Sequence, residues 1–399
     1  MTDITIIGAG IVGLSTAFQL LKAQPKLSIR IIEKESDVSK HQTGNNSGVI
    51  HSGIYYKPGS HKAVNCRKGY QMLLDFCDQN DIKYDICGKV IVAVDESEID
   101  SLNNIYQRGI ENGLQNLQIL EASELKEIEP HVSGVKGIRV PQTGIIDYKV
   151  VSQKLKENLE RLGVEFKFSE KVIEIQSVGD ILVKTETAEY LSKALITCAG
   201  LQSDKIAQMT EPNIQFKIIP FRGEYYKLTD VSKHYVNNLI YPVPDPNFPF
   251  LGVHFTRMID GAVEAGPNAV FALKREGYKK TDFNLADVFE SFAWPGFRSV
   301  IKKYWRTGLG EFHRSFNKTA FVNALQRLIP EIQKSDLLPG GAGIRAQACD
   351  KYGGLLDDFY FVESKNIIHV CNAPSPAATS SLSIGETLAG KALKNFHLN

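Results

Sequence analysis

Apolar and polar positions near the start of the chain predict a parallel βαβ unit. A short apolar strand, Ile4–Ile7, runs through a glycine-rich turn into residues with helical spacing. A second apolar run, Ile29–Ile32, ends at Glu33, which lies about 20 residues beyond the turn. Strand, turn, helix and second strand in this order are typical of an α/β protein.

Apolar residues at helical spacing and apolar runs typical of strands recur further along the chain. Helical spacing predicts helices at about 60–80, 96–112, 150–162 and 282–330. Continuous or alternating apolar runs predict strands, at Lys89–Val94, Val164–Phe168, Val172–Ile175, Ile181–Thr185, Ala194–Gly200, Phe216–Ile219, Glu224–Leu228, Gly252–Thr256 and Ile367–Asn372. Proline-rich turns at 242–249 separate the strands between 214 and 275.

These patterns predict an α/β fold in which one domain interrupts another. We expect a discontinuous Rossmann-like domain at 1–50, 150–210 and 335–399. We expect a substrate or cap domain with a largely antiparallel sheet at 51–149 and 211–334. The chain of 399 residues is long enough for this division.

The N-terminal turn has the spacing of a dinucleotide-binding fingerprint. Gly8 permits the tight turn, Gly10 lets the pyrophosphate approach the backbone, and Gly13 lets the helix pack closely on the sheet. The helix N-terminus offers free N–H groups to phosphates. Glu33 is placed to accept hydrogen bonds from a ribose, and its charge disfavours a cofactor with a 2′-phosphate.

The interrupted domain favours FAD over NAD, because NAD dehydrogenases usually carry a contiguous nucleotide domain. The sequence has no second glycine triplet between a strand and a helix. Residues Gly340–Gly343 are glycine-rich, but Ile-Arg-Ala-Gln follows them, without a suitable helix or acid. We therefore expect an organic substrate to reduce the flavin directly.

Composition narrows the range of partners. A formal net charge of +1 gives no reason to expect nucleic acid. The six cysteines form no CxxC pair, so no metal site is predicted. No apolar run approaches the ~20 residues of a membrane span, and no secretory signal is visible, so we expect a cytoplasmic protein.

Several longer segments carry a resemblance to a known family. They are His41–Ser60, Pro220–Tyr225, Tyr241–Pro246, Pro249–Thr256, Gly266–Val270, Gly343–Ala348 and Asn372–Ser381. With the fingerprint, they make the whole chain resemble the FAD-dependent oxidoreductases of the D-amino-acid oxidase and glycine oxidase type. Within that group it resembles the L-2-hydroxyglutarate oxidases and dehydrogenases. The broader group often has a glycine-rich turn where this chain has Asn372-Ala-Pro-Ser-Pro-Ala-Ala.

The resemblance implies oxidation of L-2-hydroxyglutarate to 2-oxoglutarate, with electrons passing to a quinone or to oxygen. Two alternatives stay open. One is an oxidase of a small amino or imino acid with the same fold. The other is a non-enzymatic flavin protein of tRNA modification or assembly, which would call for a basic face that the net charge of +1 does not support.

Oxidation of a dicarboxylate requires one base and several cations. His51 and His254 are the candidate bases, because a histidine titrates near neutrality. Arg345, which follows a predicted glycine-rich turn at Gly340–Gly343, is the leading carboxylate ligand, because a guanidinium binds a carboxylate through two parallel hydrogen bonds. The lesser candidates are Arg257, Arg222, Lys57, Tyr55 and Tyr56. Each of these residues has a structural alternative, namely a backbone-bonded histidine, an ordinary ion pair or aromatic packing; packing is favoured for His369.

The remaining candidates are residues for the cofactor. Thr43, Ser47 and Gly48 are assigned to the pyrophosphate and ring. The resemblance implies that Val172 meets the adenine through its backbone. The further candidates are Lys34 beside Glu33, Ala199 and Gly200 at a strand end, and Ser375, Ala377, Ala378 and Thr379 before a helix whose N-terminus faces the ring.

One segment, Phe289–Arg306, mixes large apolar residues with arginine and lysine. Such a composition is typical of helices that lie in a membrane interface, so a membrane quinone is a candidate acceptor and the protein a candidate peripheral membrane protein. The alternative is an amphipathic helix packed on its own domain. The oligomeric state stays open.

Overall fold

A computed structural model describes residues 1–245 and 250–396, which form two large sheets and a small one. The helices are α1 (Ile11–Ala23), α2 (His61–Gln79), α3 (Ile99–Glu111), α4 (Ala122–Ile128), α5 (Tyr148–Arg161), α6 (Ser203–Gln208), α7 (Leu285–Ala293), α8 (Pro295–Phe316), α9 (Lys318–Leu325) and α10 (Ser381–Asn395). Positions 246–249 and 397–399 lie outside the described residues. The first of these ranges contains the second half of the predicted proline-rich turn at 242–249 and the start of the segment Pro249–Thr256.

The strands lie between these helices along the chain, singly or in runs. They are β1 (Thr2–Ile7), β2 (Ile29–Ile32), β3 (Val49–Ile50), β4 (Tyr84–Asp85), β5 (Lys89–Ala93), β6 (Gln118–Glu121), β7 (Lys136–Val140), β8 (Gly144–Ile146), β9 (Glu165–Lys167), β10 (Val172–Val178), β11 (Asp180–Thr185), β12 (Glu189–Thr197), β13 (Phe216–Leu228), β14 (Leu239–Pro242), β15 (His254–Arg257), β16 (Val263–Gly266), β17 (Val270–Phe271), β18 (Leu337–Asp350), β19 (Tyr360–Glu363) and β20 (Ile367–Asn372). The predicted helices at 60–80, 96–112, 150–162 and 282–330 are confirmed within a few residues.

The first large sheet has the parallel centre that the N-terminal pattern predicts. β1 pairs in parallel with β2 and β12, β2 pairs with β9, and β12 pairs with β20. β10, β11 and β19 extend this centre by antiparallel pairing. Apolar side chains of α1, α2, α5 and α10 pack into one core with β1 and β2. The predicted α/β class with a Rossmann-like first domain is confirmed.

Two glycines show why this turn has its sequence. Gly8 has a φ of +104°, and a Cβ there would lie 2.4 Å from the Cys198 carbonyl oxygen. A Cβ on Gly13 would lie 2.1 Å from the Gly8 carbonyl oxygen. Both positions therefore exclude any larger residue. The helix that follows begins at Ile11, and Gly10 before it has no side chain to cap it; apart from the Ile11 N–H, which donates to Thr43, the N–H groups of the first turn are available to a ligand.

The second large sheet is antiparallel except where β14 meets β5. Its order is β17-β13-β16-β15-β14-β5-β7-β6, and β18 pairs with β13 along almost its whole length. Phe255 and Phe321 are the largest fully buried side chains of its main core, which α9 helps to cover. β13 also joins two runs that the sequence pattern separates, Phe216–Ile219 and Glu224–Leu228, into one strand with an irregular register between Glu224 and Tyr226.

The glycine-rich segment before Arg345 is part of a strand, which corrects the expectation of a turn. β18 belongs to the second sheet, although 335–399 was predicted within the first domain. A Cβ on Gly340 would lie 2.5 Å from the Tyr225 carbonyl oxygen, so glycine here permits close approach between strands. We propose to place the domain boundary after Asp350, and to count α2 with the first domain because Leu73 and Phe76 join its core.

A buried ion pair and the small sheet lie close to the join between the two halves. Asp204 on α6 is fully buried and accepts a hydrogen bond from Arg275 Nη2 at 3.1 Å. Arg275 Nη1 also donates to the Leu201 carbonyl at 2.9 Å. The small sheet, β3-β8-β4, continues directly into the loop that carries His51. The ion pair joins residues from the two halves of the chain, and a cavity lies between the two large sheets.

Candidate active site

A long cavity of about 1470 Å³ runs between the two large sheets. Its walls come from the ends of β1 and β2, from the loop after β2, from the segment before α10, and from β14, β15 and β18. Ordinary small-molecule sites occupy roughly 300–1,000 Å³. The cavity therefore has room for a dinucleotide and a second, smaller molecule.

One end of this cavity is built from the glycine fingerprint. Gly8 and Gly10 line it, and Thr43 reaches across, where its Oγ1 accepts a hydrogen bond from the Ile11 N–H at 3.1 Å. Glu33 accepts hydrogen bonds from the Ala9 N–H at 2.8 Å and the Glu35 N–H at 3.0 Å. Each carboxylate oxygen can accept a further hydrogen bond from a ribose hydroxyl. This donor and acceptor set fits the adenosine diphosphate half of FAD. Gly13 lies behind the wall and serves the packing of α1.

Lys34 lines the same end of the cavity within a group of charges. Its ammonium lies 2.7 Å from Glu35 Oε1, 2.8 Å from Glu276 Oε2 and 2.9 Å from His41 Nε2. Within the described ranges, Glu35, His41 and Glu276 are the one group with a metal-ligand arrangement. The lysine already supplies the cation between them, and its hydrogen bond lowers the pKa of Glu35. Nothing in the sequence pointed to Glu276, which comes from the second half of the chain.

Other predicted cofactor residues lie along the walls. Ser47, Val172, Ala199 and Gly200 line the cavity. Gly48 does not line it; its φ of +64° turns the chain from Ser47 into β3.

The segment before α10 forms another part of the cavity wall. Ser375, Ala377 and Ala378 line the cavity there, and α10 begins without a side-chain cap. Thr379 is fully buried behind them. Its Oγ1 accepts a hydrogen bond from the His51 N–H at 3.1 Å and lies 2.9 Å from the Tyr148 hydroxyl. Thr379 therefore holds the histidine loop in place, a role that the sequence did not reveal.

His254 lies at the other end of the cavity with a defined tautomer. Its Nδ1 is 2.9 Å from the Gly252 carbonyl oxygen, which only accepts, so Nδ1 carries the proton. Nε2 therefore keeps a lone pair. The ring lies on Tyr241, with centroids 4.0 Å apart. Burial lowers the pKa of His254 to about 3, with a smaller contribution from the charge of Arg345. The imidazole is neutral at physiological pH.

His51 also lines the cavity, but its backbone makes its stronger contacts. Its carbonyl accepts a bond from the Cys66 thiol at 3.3 Å, and its Nε2 lies 3.5 Å from Ser375 Oγ, at the limit of a hydrogen bond. Burial lowers the pKa of His51 to about 3, and the charges of Lys89 and His254 add to this effect. No contact fixes which ring nitrogen carries the proton.

Arg345 lies in the middle of β18 and lines the same end of the cavity. Its guanidinium lies 4.9 Å from the centroid of the Phe250 ring. No carboxylate of the described residues lies within ion-pairing distance of this guanidinium; burial lowers its pKa, and the more distant charge of Glu311 acts in the opposite direction. Tyr55, Tyr56 and Lys57 complete the wall. The Tyr55 hydroxyl is buried without a hydrogen-bond partner among the described residues, so it can donate to a ligand.

Two predicted arginines lie elsewhere. Arg257 Nη2 bonds Asp85 Oδ2 at 2.6 Å, and the side chain does not line the cavity. Arg222 is buried and bonds Glu224 through two nitrogens, at 3.0 and 2.8 Å. A carboxylate already engages each of these side chains, Asp85 on another strand for Arg257 and Glu224 on the same strand for Arg222, so we remove both from the substrate-binding candidates. His369 lies between the hydroxyls of Thr197 and Thr210, at 2.9 and 2.8 Å, as a packed structural residue.

Comparisons with known proteins agree with this architecture. The family described as FAD dependent oxidoreductase matches residues 3–391. Among solved structures, L-α-glycerophosphate oxidase from Mycoplasma pneumoniae, with FAD bound, superposes with a TM-score of 0.80 at 23% identity, covering 100% of this chain and 95% of that one. Glycine oxidase from Geobacillus kaustophilus gives 0.73 at 14% identity, covering 98% and 94%. These two structures show the fold that the chain shares.

Closer relatives come from the curated proteins. The L-2-hydroxyglutarate dehydrogenase of Indibacter alkaliphilus is 54% identical over 396 residues, covering 99% of each chain. The enzyme of the same name from Escherichia coli strain K12 is 45% identical over 393 residues, covering 98% of this chain and 93% of the relative. The chain therefore belongs to the family of FAD-dependent oxidoreductases, and within it to the group that includes the L-2-hydroxyglutarate dehydrogenases.

Proposed function

We propose that the protein oxidises L-2-hydroxyglutarate to 2-oxoglutarate with FAD as its bound cofactor. The observation that carries the proposal is the presence, in one cavity, of a neutral histidine, His254, and a cation, Arg345, that has no carboxylate of the described residues within ion-pairing distance. A 2-hydroxy acid needs a group that accepts the hydroxyl proton and a group that holds a carboxylate. The names of the close relatives specify the substrate.

The residues act on different parts of the substrate. FAD, which Gly8, Gly10, Glu33, Thr43 and the segment before α10 would hold, would supply the acceptor for the hydride of C2. His254 Nε2 accepts the hydroxyl proton, because Nδ1 is already engaged by the Gly252 carbonyl. Arg345 holds one carboxylate through two parallel hydrogen bonds, which orients C2. Tyr55, Tyr241 and Phe250 surround this end with aromatic surface and exclude water.

The alternative substrate class is a small amino or imino acid. The glycine oxidase named above shares the fold, but 14% identity carries no substrate information. A glycine-sized substrate has one carboxylate, whereas L-2-hydroxyglutarate has two. The names of the close relatives support the dicarboxylate.

Reduction of the flavin under anaerobic conditions tests the substrate. We expect L-2-hydroxyglutarate to bleach the oxidised flavin absorbance of the purified holoenzyme, with little bleaching by the D-enantiomer, glycine, sarcosine or proline. The measurement is an absorbance titration without oxygen. Bleaching by one of the amino acids but not by L-2-hydroxyglutarate would refute the proposal.

Two glutamine variants and a pH profile test the base. We expect His254→Gln to lower the limiting rate of flavin reduction by roughly 10²–10⁴-fold, the usual contribution of a general base. We expect His51→Gln, the matched control on the same cavity, to cost much less. Because His254 in the free enzyme stays neutral down to a pKa of about 3, kcat/KM should not fall as the pH is lowered from 8 to about 5. A reversed order of the two variants, or an acid limb near the ordinary histidine pKa, contradicts the assignment.

A membrane quinone is the proposed electron acceptor, with oxygen as the alternative. In the helical pair α7–α8, Phe289 is 72% exposed, Phe292 47% and Trp305 51%. Arg298, Lys302, Lys303 and Arg306 on α8 are exposed beside them. By contrast, Phe297 and Val300 of the same segment are buried against the second sheet. Packing on its own domain thus holds for one face of this segment, and the exposed residues of the other face support the membrane interpretation.

The exposed residues of that segment, which we call the α7–α8 surface, suit an anionic membrane. Aromatic side chains with neighbouring cations enter the interface between headgroups and acyl chains. No helix in the described ranges has the length and apolarity to cross a bilayer. We therefore propose attachment through this surface, which would bring the enzyme to a quinone dissolved in the bilayer.

Binding to liposomes tests this attachment. We expect the holoenzyme to sediment with vesicles containing phosphatidylglycerol, and Phe289→Glu/Trp305→Glu to stay in the supernatant. The double variant should reduce a water-soluble dye normally but lose reduction of a long-chain quinone in the vesicles. Leu191→Glu, at a residue 49% exposed on another surface, is the control. Equal quinone reduction by all three proteins, or self-association of the α7–α8 surface without vesicle binding, would exclude the proposal.

A further inference from the structure

A buried lysine lies behind the aromatic wall of the substrate end. Lys89 is the first residue of β5, which is flanked by β14 and β7 in the second sheet, and it is only 3% exposed. Its ammonium lies 4.5 Å from the centroid of the Tyr55 ring and 4.8 Å from that of Tyr241. Both tyrosines line the cavity.

No acidic residue in the described ranges pairs with this ammonium. Its charge instead acts on the Cys66 thiol and on the imidazoles of His51 and His254. Burial lowers the pKa of Lys89 to about 7. A buried ammonium without a carboxylate is costly, and contacts with two aromatic rings offset only part of that cost. Most buried charges are paired, so an unpaired one beside a cavity indicates a charge that arrives with a ligand.

The Lys89 ammonium and the Arg345 guanidinium lie at different places in the second sheet. Arg345 comes from β18 and lies against Phe250, whereas Lys89 comes from β5 and lies between Tyr55 and Tyr241. His254, which rests on the Tyr241 ring, is subject to the charges of both. The cavity thus receives positive potential from two strands of the same sheet. A substrate with a carboxylate at each end of a short carbon chain matches two such charges.

We propose that Lys89 determines specificity by attracting the second carboxylate of the substrate, the one that Arg345 does not hold. This inference rests on the proposed function and adds to it the residue that separates dicarboxylates from monocarboxylates. The Tyr55 hydroxyl, buried and without a partner among the described residues, is a hydrogen-bond donor for the same carboxylate. Lys89 thus acts as a positioning residue, whose charge guides the end of the substrate that does not react.

A pair of substrates of equal length tests this role. L-2-hydroxyglutarate ends in a carboxylate, and L-2-hydroxypentanoate ends in a methyl group. We expect Lys89→Met to raise the half-saturation concentration for L-2-hydroxyglutarate by roughly tenfold to a hundredfold, as expected for one charge pair several ångströms apart in a partly desolvated site. The limiting rate of flavin reduction should fall much less, and the efficiency with L-2-hydroxypentanoate should change little. Lys89→Arg, which keeps the charge, should keep the preference for the dicarboxylate.

The control is Lys217→Met, on β13, where the lysine pairs with Glu290 at 3.5 Å and does not line the cavity. It should leave both substrates unaffected. If Lys89→Met is recovered without flavin, Lys89→Gln repeats the measurement with a neutral polar side chain. Equal losses with both substrates, or a loss of limiting rate alone, would overturn the proposal and assign Lys89 a structural or proton-transfer role. Failure of L-2-hydroxyglutarate to reduce the wild-type flavin would instead overturn the proposed function, so the two failures are distinguishable.

Discussion

The substrate end of the cavity between the two sheets carries cations that make no close ion pair with an acidic residue of the described chain, and the rest of the site depends on this imbalance. Arg345 and Lys89 both lack a carboxylate within ion-pairing distance in a partly desolvated space. Burial, with a smaller contribution from these two charges, keeps His254 neutral. A substrate that brings two negative charges relieves the imbalance and finds a proton acceptor ready. Rigid strands of one sheet carry all three groups, which limits their ability to move apart.

The fold separates this charge from the nucleotide end. Glu33, Glu35 and Glu276 lie where the adenosine half of a dinucleotide fits, and Lys34 and backbone N–H groups engage them. The acidic residues therefore do not compensate the cations at the substrate end. The interruption of the first domain makes this arrangement possible, because it places the second sheet over the cavity that the parallel strands open onto.

Local pattern was sufficient for much of this structure and insufficient for the partners of charged side chains. The fingerprint, the four helical segments and the strands of the first sheet depend on short-range spacing, so sequence predicted them. Arg257 was a lesser candidate than Arg345, but nothing in the sequence pointed to Asp85, which lies far away along the chain and engages Arg257. Gly340 suggested a turn, because the sequence does not show the contact that requires a glycine there. That contact is with the backbone of Tyr225, which belongs to another strand. Lys89 had only one signal, a charge at the start of a buried apolar run.

The comparison of these two arginines tests the account most directly. In rapid-mixing experiments without oxygen, the holoenzyme and the variants Arg345→Met and Arg257→Met would be reduced with increasing L-2-hydroxyglutarate. Loss of one charge-assisted carboxylate contact costs about 1.5–3 kcal/mol, so Arg345→Met should raise the half-saturation concentration by roughly tenfold or more. Arg257→Met should leave it near the wild-type value. Equal effects of the two variants, or a larger effect of Arg257→Met, would contradict the account.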